Sequence, residues 1–178
     1  KARFFKPSSP SSQENGIIED DFLTKLPKQL LSISNYQILR FDEIRSKHKE
    51  NSIVLREKLQ DLNYKVLGNY DHESDSISPR IPLLVQDRDF FIDYFLKRGV
   101  EIGQWFDGPL SPNPKSNIFQ YNVNQYPKAS FIAKHIVNIP CHFRLSKKDI
   151  NLIKISLSKF AEEFPAHLDI QKISQHSL

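Results

Sequence analysis

The sequence predicts an α/β (or α+β) fold, a small sheet flanked by helices, on three observations. One block alternates extended and helical patterning with clear punctuation. Two long stretches carry apolar residues at helical spacing. Apolar residues make up 39% of the 178 positions against 26% charged, enough to bury one real core.

The punctuated block spans 81–106. Ile81-Pro82-Leu83-Leu84-Val85 reads as a buried strand with Pro82 near its start, where a missing donor is tolerable. Asp87 is placed to cap a helix running through Phe90, Phe91, Tyr94 and Phe95 to Lys97-Arg98, and Gly99 sits at the left-handed stop position. Residues 100–106 then alternate as a second strand, expected beside 81–85 in a common sheet. The relative direction of the two is not legible.

Upstream, 27–62 has a helical pattern. Pro27 suits a first turn, and Ile38, Phe41, Ile44, His48, Leu55, Leu59 and Leu62 form the apolar stripe, with a polar interruption expected at Asn51-Ser52. Arg45, Lys47, Lys49, Glu50, Arg56, Glu57 and Lys58 make the opposite, solvated face, and His48 is expected as a core histidine. A short strand is expected at 64–67. Downstream, Tyr126-Pro127 opens a short helix, and Val137-Asn138-Ile139-Pro140 gives a brief extended segment. Ser146-Lys147-Lys148-Asp149 is a capping box for a last helix with the stripe Ile150, Ile153, Leu157, Phe160 and Phe164, which Pro165 ends. The organisation is therefore an N-terminal arm at 1–26, Pro/Ser-rich over its first part, a domain at 27–165 and a weakly packed tail at 166–178.

Composition excludes several function classes. A single Cys rules out a disulfide framework or multi-Cys zinc cluster and suits a reducing compartment, the cytoplasm. No apolar run approaches the ~20 residues of a membrane span, so no membrane partner is expected. A net charge of +4, spread along the chain, is too small to argue for nucleic acid. The absence of Met and the start at Lys1 suggest a piece of a longer protein, or residues missing from its record.

Sites are sparse. The five Gly are not clustered into a phosphate loop. Asp71-His72-Glu73-Ser74-Asp75 is sequential on a loop, with no spacing to converge ligands, so no metal is expected. Cys141 and His142 are adjacent along the chain, which is not the spatial meeting a nucleophile and its base need. Asp87, Asp89 and Asp93 are accounted for by a helix start. The rings flanking the turn-rich loop 107–114 (Trp105, Phe106, Phe119 and Tyr121) are the best candidate ligand wall, with plain packing an equal alternative.

The order of these blocks resembles a known family. Ser78-Pro79-Arg80-Ile81-Pro82-Leu83-Leu84-Val85, Asp87-Arg88-Asp89, Lys97-Arg98-Gly99-Val100, Gly103-Gln104-Trp105-Phe106 and Gly108-Pro109-Leu110 are similar to the C-terminal domain of the DegT/DnrJ/EryC1/StrS aminotransferases. So are Tyr126-Pro127-Lys128-Ala129, Val137-Asn138-Ile139-Pro140 and Leu145-Ser146-Lys147-Lys148-Asp149-Ile150. Gln37 to Ile44 resembles the family's long interdomain helix. The resemblance covers 26–164.

It implies a small mixed sheet flanked by helices, as in the smaller domain of a fold-type-I transaminase. It also implies a parent that uses pyridoxal phosphate to aminate a nucleotide-linked keto-sugar in polysaccharide biosynthesis, as a homodimer. The Schiff-base lysine would lie in a large N-terminal domain that is not in this chain, so no catalytic residue is expected here and the piece alone is expected to be inactive. Trp105, Phe106 and Ser111 are expected nearest the sugar or nucleotide. Ser111 stands where many members carry His, and no equivalent of the family's Asn before the long helix is found near Thr24-Lys25-Leu26-Pro27. Two alternatives stay open: a non-catalytic interaction module of the same fold, and a basic binder of single-stranded nucleic acid stacking bases on the loop aromatics.

Overall fold

The structure, a computed structural model, describes residues 27–68, 78–104, 108–110 and 125–170. Its elements in chain order are α1 (Lys28–Leu39), α2 (Phe41–Asp61), β1 (Lys65–Val66), β2 (Arg80–Leu84), α3 (Arg88–Leu96), α4 (Pro127–His135), β3 (Ile136–Pro140) and α5 (Lys147–Glu163), closed by a 3-10 turn at Pro165–Leu168. The expected class is the one observed.

The helical stretch 27–62 is two helices rather than one, and the break lies at Arg40 (φ −99°, ψ 7°), not at Asn51-Ser52. Arg40 turns back on its own neighbourhood, with Nε 3.1 Å from Glu43 Oε2 and the guanidinium over the Tyr36 ring. Asn51 and Ser52 continue α2 because they are buried and bonded: Asn51 Nδ2 donates to the His142 carbonyl (3.1 Å), and Arg56 Nε donates to Ser52 Oγ (3.3 Å). Arg56, expected on the solvated face, is therefore buried. Ile38 and Phe41, expected on the apolar stripe, are exposed, whereas Leu55 and Leu59 are fully buried. Asn63 adopts φ 58° after α2, a left-handed turn that Asn tolerates, and sends the chain into β1.

The described strands form a three-stranded sheet in the order β1-β2-β3, antiparallel throughout, so the expected mixture of directions is not found between neighbouring described strands. β2 and β3 pair over their full length, from Arg80 opposite Pro140 to Leu84 opposite Ile136. Pro82 sits inside the central strand. Its carbonyl accepts from Leu67 N (2.9 Å) just past the end of β1, so its missing donor falls where that ladder has run out.

The second expected strand is corrected. Of 100–104, only Gly103 joins the sheet, through an isolated antiparallel bridge to Asn138 of β3. β3 thus stands between this segment and β2, and the two are not side by side. Two antiparallel steps leave the Gly103 segment parallel to β2, a strand–helix–strand unit split by a later strand inserted at its centre.

One sheet face is the core. Ile81, Leu83, Val137 and Ile139 are fully buried on it, together with Val85 and Cys141 just beyond the strand ends. They pack with Leu55 and Leu59 of α2, Phe91 and Phe95 of α3, and Ile153, Leu157 and Phe160 of α5. The helices are fixed as the sequence predicts. Asp87 accepts from Phe90 N (2.9 Å), and Ser146 and Asp149 form the reciprocal capping box. Tyr64, at the entry to β1, donates its hydroxyl to the Leu157 carbonyl (2.9 Å) and ties the hairpin to α5. The first residues of the tail are more closely held than expected: the His167 carbonyl accepts from Gln86 N (2.9 Å), and Ile170 is buried.

Candidate functional site

Trp105, Phe106 and Ser111 lie outside the described residues, as do Phe119, Tyr121 and the 71–75 loop. The described residues nearest to Trp105, Phe106 and Ser111 in the chain are Gly103-Gln104 on one side and Gly108-Pro109-Leu110 on the other. Both belong to the sheet's second face and its surroundings.

Period-two alternation puts Arg80, Pro82 and Leu84 of β2, and Ile136, Asn138 and Pro140 of β3, on the face opposite the core. Leu84 and Ile136 make a small apolar cluster there with Ile170, Leu67 and Phe131. The other end is polar. Asn138 is 5% exposed, and its Nδ2 is buried without a hydrogen-bond partner among the described residues. Its backbone exchanges two hydrogen bonds with Gly103, 3.0 Å from Gly103 N to Asn138 O and 3.1 Å in return. The Arg80 side chain reaches over this pair: a Cβ built on Gly103 would overlap Arg80 Nη1 and lie 3.0 Å from its Cζ.

Two cavities open nearby. One, of about 270 Å³, lies between Gly108-Pro109 and α4 and is walled by Ala129, Ile132, Ala133 and Ile136. It is apolar, and the Gly108-Pro109 on its rim stand just before Ser111 in the sequence. The other, of about 300 Å³, lies between the turn after α3 and the start of α5, where Arg80, Glu101, His142 and Asp149 line it. Burial first, and then the Arg80 and Arg144 charges, hold His142 below the usual imidazole range, while Asp149 acts in the opposite sense. His48 of α2 is also held down by burial and then by His142; it packs against Phe143 with ring centroids 5.5 Å apart. It is thus a partly buried packing histidine, close to its expected role, although its Nδ1 has no partner among the described residues.

No described group is set up as a nucleophile. Cys141 is fully buried and directs Sγ at the Ser78 carbonyl (3.0 Å), and burial pushes its thiol up to about 11. It is a small core residue, as expected. His135 is spent on structure, its Nδ1 lying 3.0 Å from the carbonyls of both Val85 and Gln86. Among the described residues, no three metal-binding side chains converge. Sequence reasoning missed Arg80, Asn138 and Gly103 as a group. The signal was the polar half of the alternation in Arg80-Ile81-Pro82-Leu83 and Val137-Asn138-Ile139-Pro140, but it becomes visible only once β3 is known to pair with both β2 and Gly103.

The described residues thus form a split strand–helix–strand unit backed by a long helix pair and a capped last helix. The profile of the DegT/DnrJ/EryC1/StrS aminotransferase family matches residues 22–157, and the chain belongs to that family. Its fold is that of solved sugar aminotransferases. The putative sugar aminotransferase Spr1654 from Streptococcus pneumoniae in its PMP form superposes with a TM-score of 0.59 at 16% identity, over 72% of this chain and 33% of that one. Its PLP form gives the same TM-score and identity over 72% and 34%. The sugar aminotransferase CalS13 from Micromonospora echinospora gives 0.53 at 20% identity, over 68% and 32%. The chain therefore spans about a third of the length of these structures. No curated protein sequence shows significant similarity to it.

Proposed function

We propose that this chain is the small domain of a pyridoxal-phosphate-dependent aminotransferase that aminates a nucleotide-linked keto-sugar. The observation that carries the reading is the family match over 22–157, joined to a fold shared with a third of each solved sugar aminotransferase. Trp105, Phe106 and Ser111 are proposed to line the sugar or nucleotide side of the site, entered beside the apolar cavity at Pro109. The domain boundaries at 26 and 165, the homodimer, the role in polysaccharide biosynthesis and the cytoplasmic setting belong to the same proposal. No helix of the described residues is long and apolar enough to cross a membrane.

The described residues do not fit the cofactor. Holding it takes an amine that forms the imine and an acid that pairs with the ring nitrogen, both sheltered from water. No Lys, Asp or Glu is buried among the described residues. No step is therefore assigned to this chain beyond positioning substrate, and the cofactor would be held by the remainder of the parent.

α1 supports the idea of such a remainder. Leu30, Leu31, Ile33, Tyr36, Ile38 and Leu39 are all exposed on it, an apolar area that a complete protein would cover with its large domain.

Two measurements test the reading. The 178-residue chain, incubated with pyridoxal phosphate and then borohydride, should give no pyridoxyl adduct at a single stoichiometric lysine; such an adduct would overturn the division of labour. The parent polypeptide, given glutamate and a nucleotide-linked keto-sugar, should form the amino-sugar nucleotide, and Trp105→Ala should raise KM while cofactor binding persists. Ser111, in place of the family's frequent His, favours a second reading as a non-catalytic module of the same fold. A parent that binds pyridoxal phosphate yet aminates no keto-sugar would support it.

A further inference from the structure

Nothing in the keto-sugar reading uses the cavity of about 300 Å³ between α5 and the turn after α3, and its walls sort by chemistry. The Arg80 guanidinium stands on one side, where a Gly103 side chain would otherwise be. Val100 and Ile102 are buried and Glu101 is exposed, the alternation of an extended chain. Glu101 therefore shares a face with Gly103, and with the guanidinium lying on it. Asp149, in the first turn of α5, brings a second carboxylate. Between the charges the surface is apolar: Val100 and Ile153 are buried, and Leu145 and Leu152 flank them. We propose that this cavity binds a small zwitterion with an apolar body, an α-amino acid of the leucine type. Its carboxylate sits on Arg80 and its ammonium on Glu101 and Asp149.

Each charged group has capacity for the contact. Among the described residues, no hydrogen bond or ion pair engages the Glu101 carboxylate. The Ser146 amide and hydroxyl both donate to Asp149 Oδ2, at 2.8 and 2.7 Å, which leaves Oδ1 to accept. A guanidinium has five N–H donors in a planar fork, so Arg80 can hold a carboxylate alongside the contacts it already makes. His142 adds a buried Nδ1 with no partner among the described residues. At Gly99 no side chain narrows the opening, since an added Cβ would meet nothing within 4 Å.

The charge pattern selects the ligand. A simple anion would face two carboxylates, and a simple amine would face the guanidinium; a ligand with both charges is matched at each end. The apolar floor selects the side chain. A second carboxylate laid over Leu152 and Ile153 would lose water and gain no cation, so an acidic amino acid is disfavoured. The cavity thus discriminates against the glutamate of the amination assay.

Amide proton–nitrogen correlation spectra of the full 178-residue chain, titrated with L-leucine, test the proposal. Leucine should move the amides of Gly99, Val100, Glu101 and Leu145 saturably. Isocaproate, which lacks the amine, isoamylamine, which lacks the carboxylate, and glutamate should each bind about tenfold or more weakly. Glu101→Gln should weaken leucine binding by a similar factor at an unchanged thermal midpoint, because Glu101 is exposed and folding does not depend on it. Arg80→Lys keeps the charge but loses the fork, and it should weaken leucine binding as well. An absence of saturable movement, isocaproate or glutamate binding as tightly as leucine, or wild-type affinity in Glu101→Gln would each overturn the proposal. The keto-sugar reading is tested by the amination assay alone, since it assigns no role to Arg80, Glu101 or Asp149.

Discussion

The two faces of the sheet are built from the same two strands and have opposite characters. On one, Ile81, Leu83, Val137 and Ile139 are fully buried against three helices. On the other, the same strands present Arg80 and Asn138 at one end and a small apolar cluster at the other. The first face gains from every residue it removes from water. The second keeps a buried amide with no partner among the described residues, which costs stability that an apolar residue would not lose, and beside it a half-buried guanidinium reaches over a glycine. Such local costs are tolerated where something other than stability is being served. Gly103, two residues before the candidate Trp105 in the sequence, meets β3 at this Asn138.

The largest effect expected from breaking the contrast is on the core side. Phe160 of α5 sits within 4.8 Å of the Phe91 ring centroid and 5.0 Å of the Tyr94 ring, and it is fully buried. Phe160→Ala should cost about 3–5 kcal/mol, the range for emptying a large aromatic site. Urea unfolding followed by far-UV circular dichroism measures it. A loss below about 1 kcal/mol, as at ordinary surface positions, would mean that α5 is not held through this face.

The contrast also explains what the sequence made legible. Local signals survived intact: the Asp87 cap, the Ser146–Asp149 box and the α5 stripe all read correctly, because each depends on residues within one or two turns. The core strand residues Ile81, Leu83 and Val85 read correctly too, since apolar runs bounded by turn residues need no partner to be recognised. Most of the failures were non-local. Asn51-Ser52 looked like a break because their partners, His142 and Arg56, lie 91 residues away or one helical turn on. The pairing of 100–104 was misassigned because β3, whose Asn138 lies 35 residues past Gly103, takes the place beside β2. The stripe at Ile38 and Phe41 was real, but nothing among the described residues covers it. The polar outer face escaped for the same reason: Arg80 and Gly103 lie on opposite sides of a strand that the local pattern does not position.

A smaller effect sharpens the contrast at the edge between core and cavity. His48 and His142 both titrate below their ordinary value in the folded chain, chiefly through burial, with Arg80 and Arg144 lowering His142 and Asp149 opposing them. The unfolded chain then binds protons more readily. Stability is complete above about pH 6.5, falls as the pH drops through that value, and levels off once the pH is below the folded values. The thermal midpoint should decline between pH 7.5 and about 5, and His48→Gln or His142→Gln should flatten the decline. Carboxylates account for a later loss: Asp149, held down by the Ser146 hydroxyl and backbone, acts only as the pH falls below the ordinary carboxylate range. A wild-type midpoint constant to pH 5 would remove both imidazoles from the account.

The smallest effect is the most discriminating, because it compares adjacent residues of one strand. Ile139 faces the core and Asn138 faces away. Ile139→Ala should cost about 2–5 kcal/mol. Asn138→Leu should change stability by less than about 1 kcal/mol in either direction, since a buried amide without an acceptor already carries a desolvation penalty that leucine does not. The two backbone hydrogen bonds to Gly103 are untouched by either substitution. Equal losses at 138 and 139 would mean that the Asn138 amide is satisfied by residues beyond those described. The outer face would then be a second core, and the candidate site would have to be sought elsewhere on the domain.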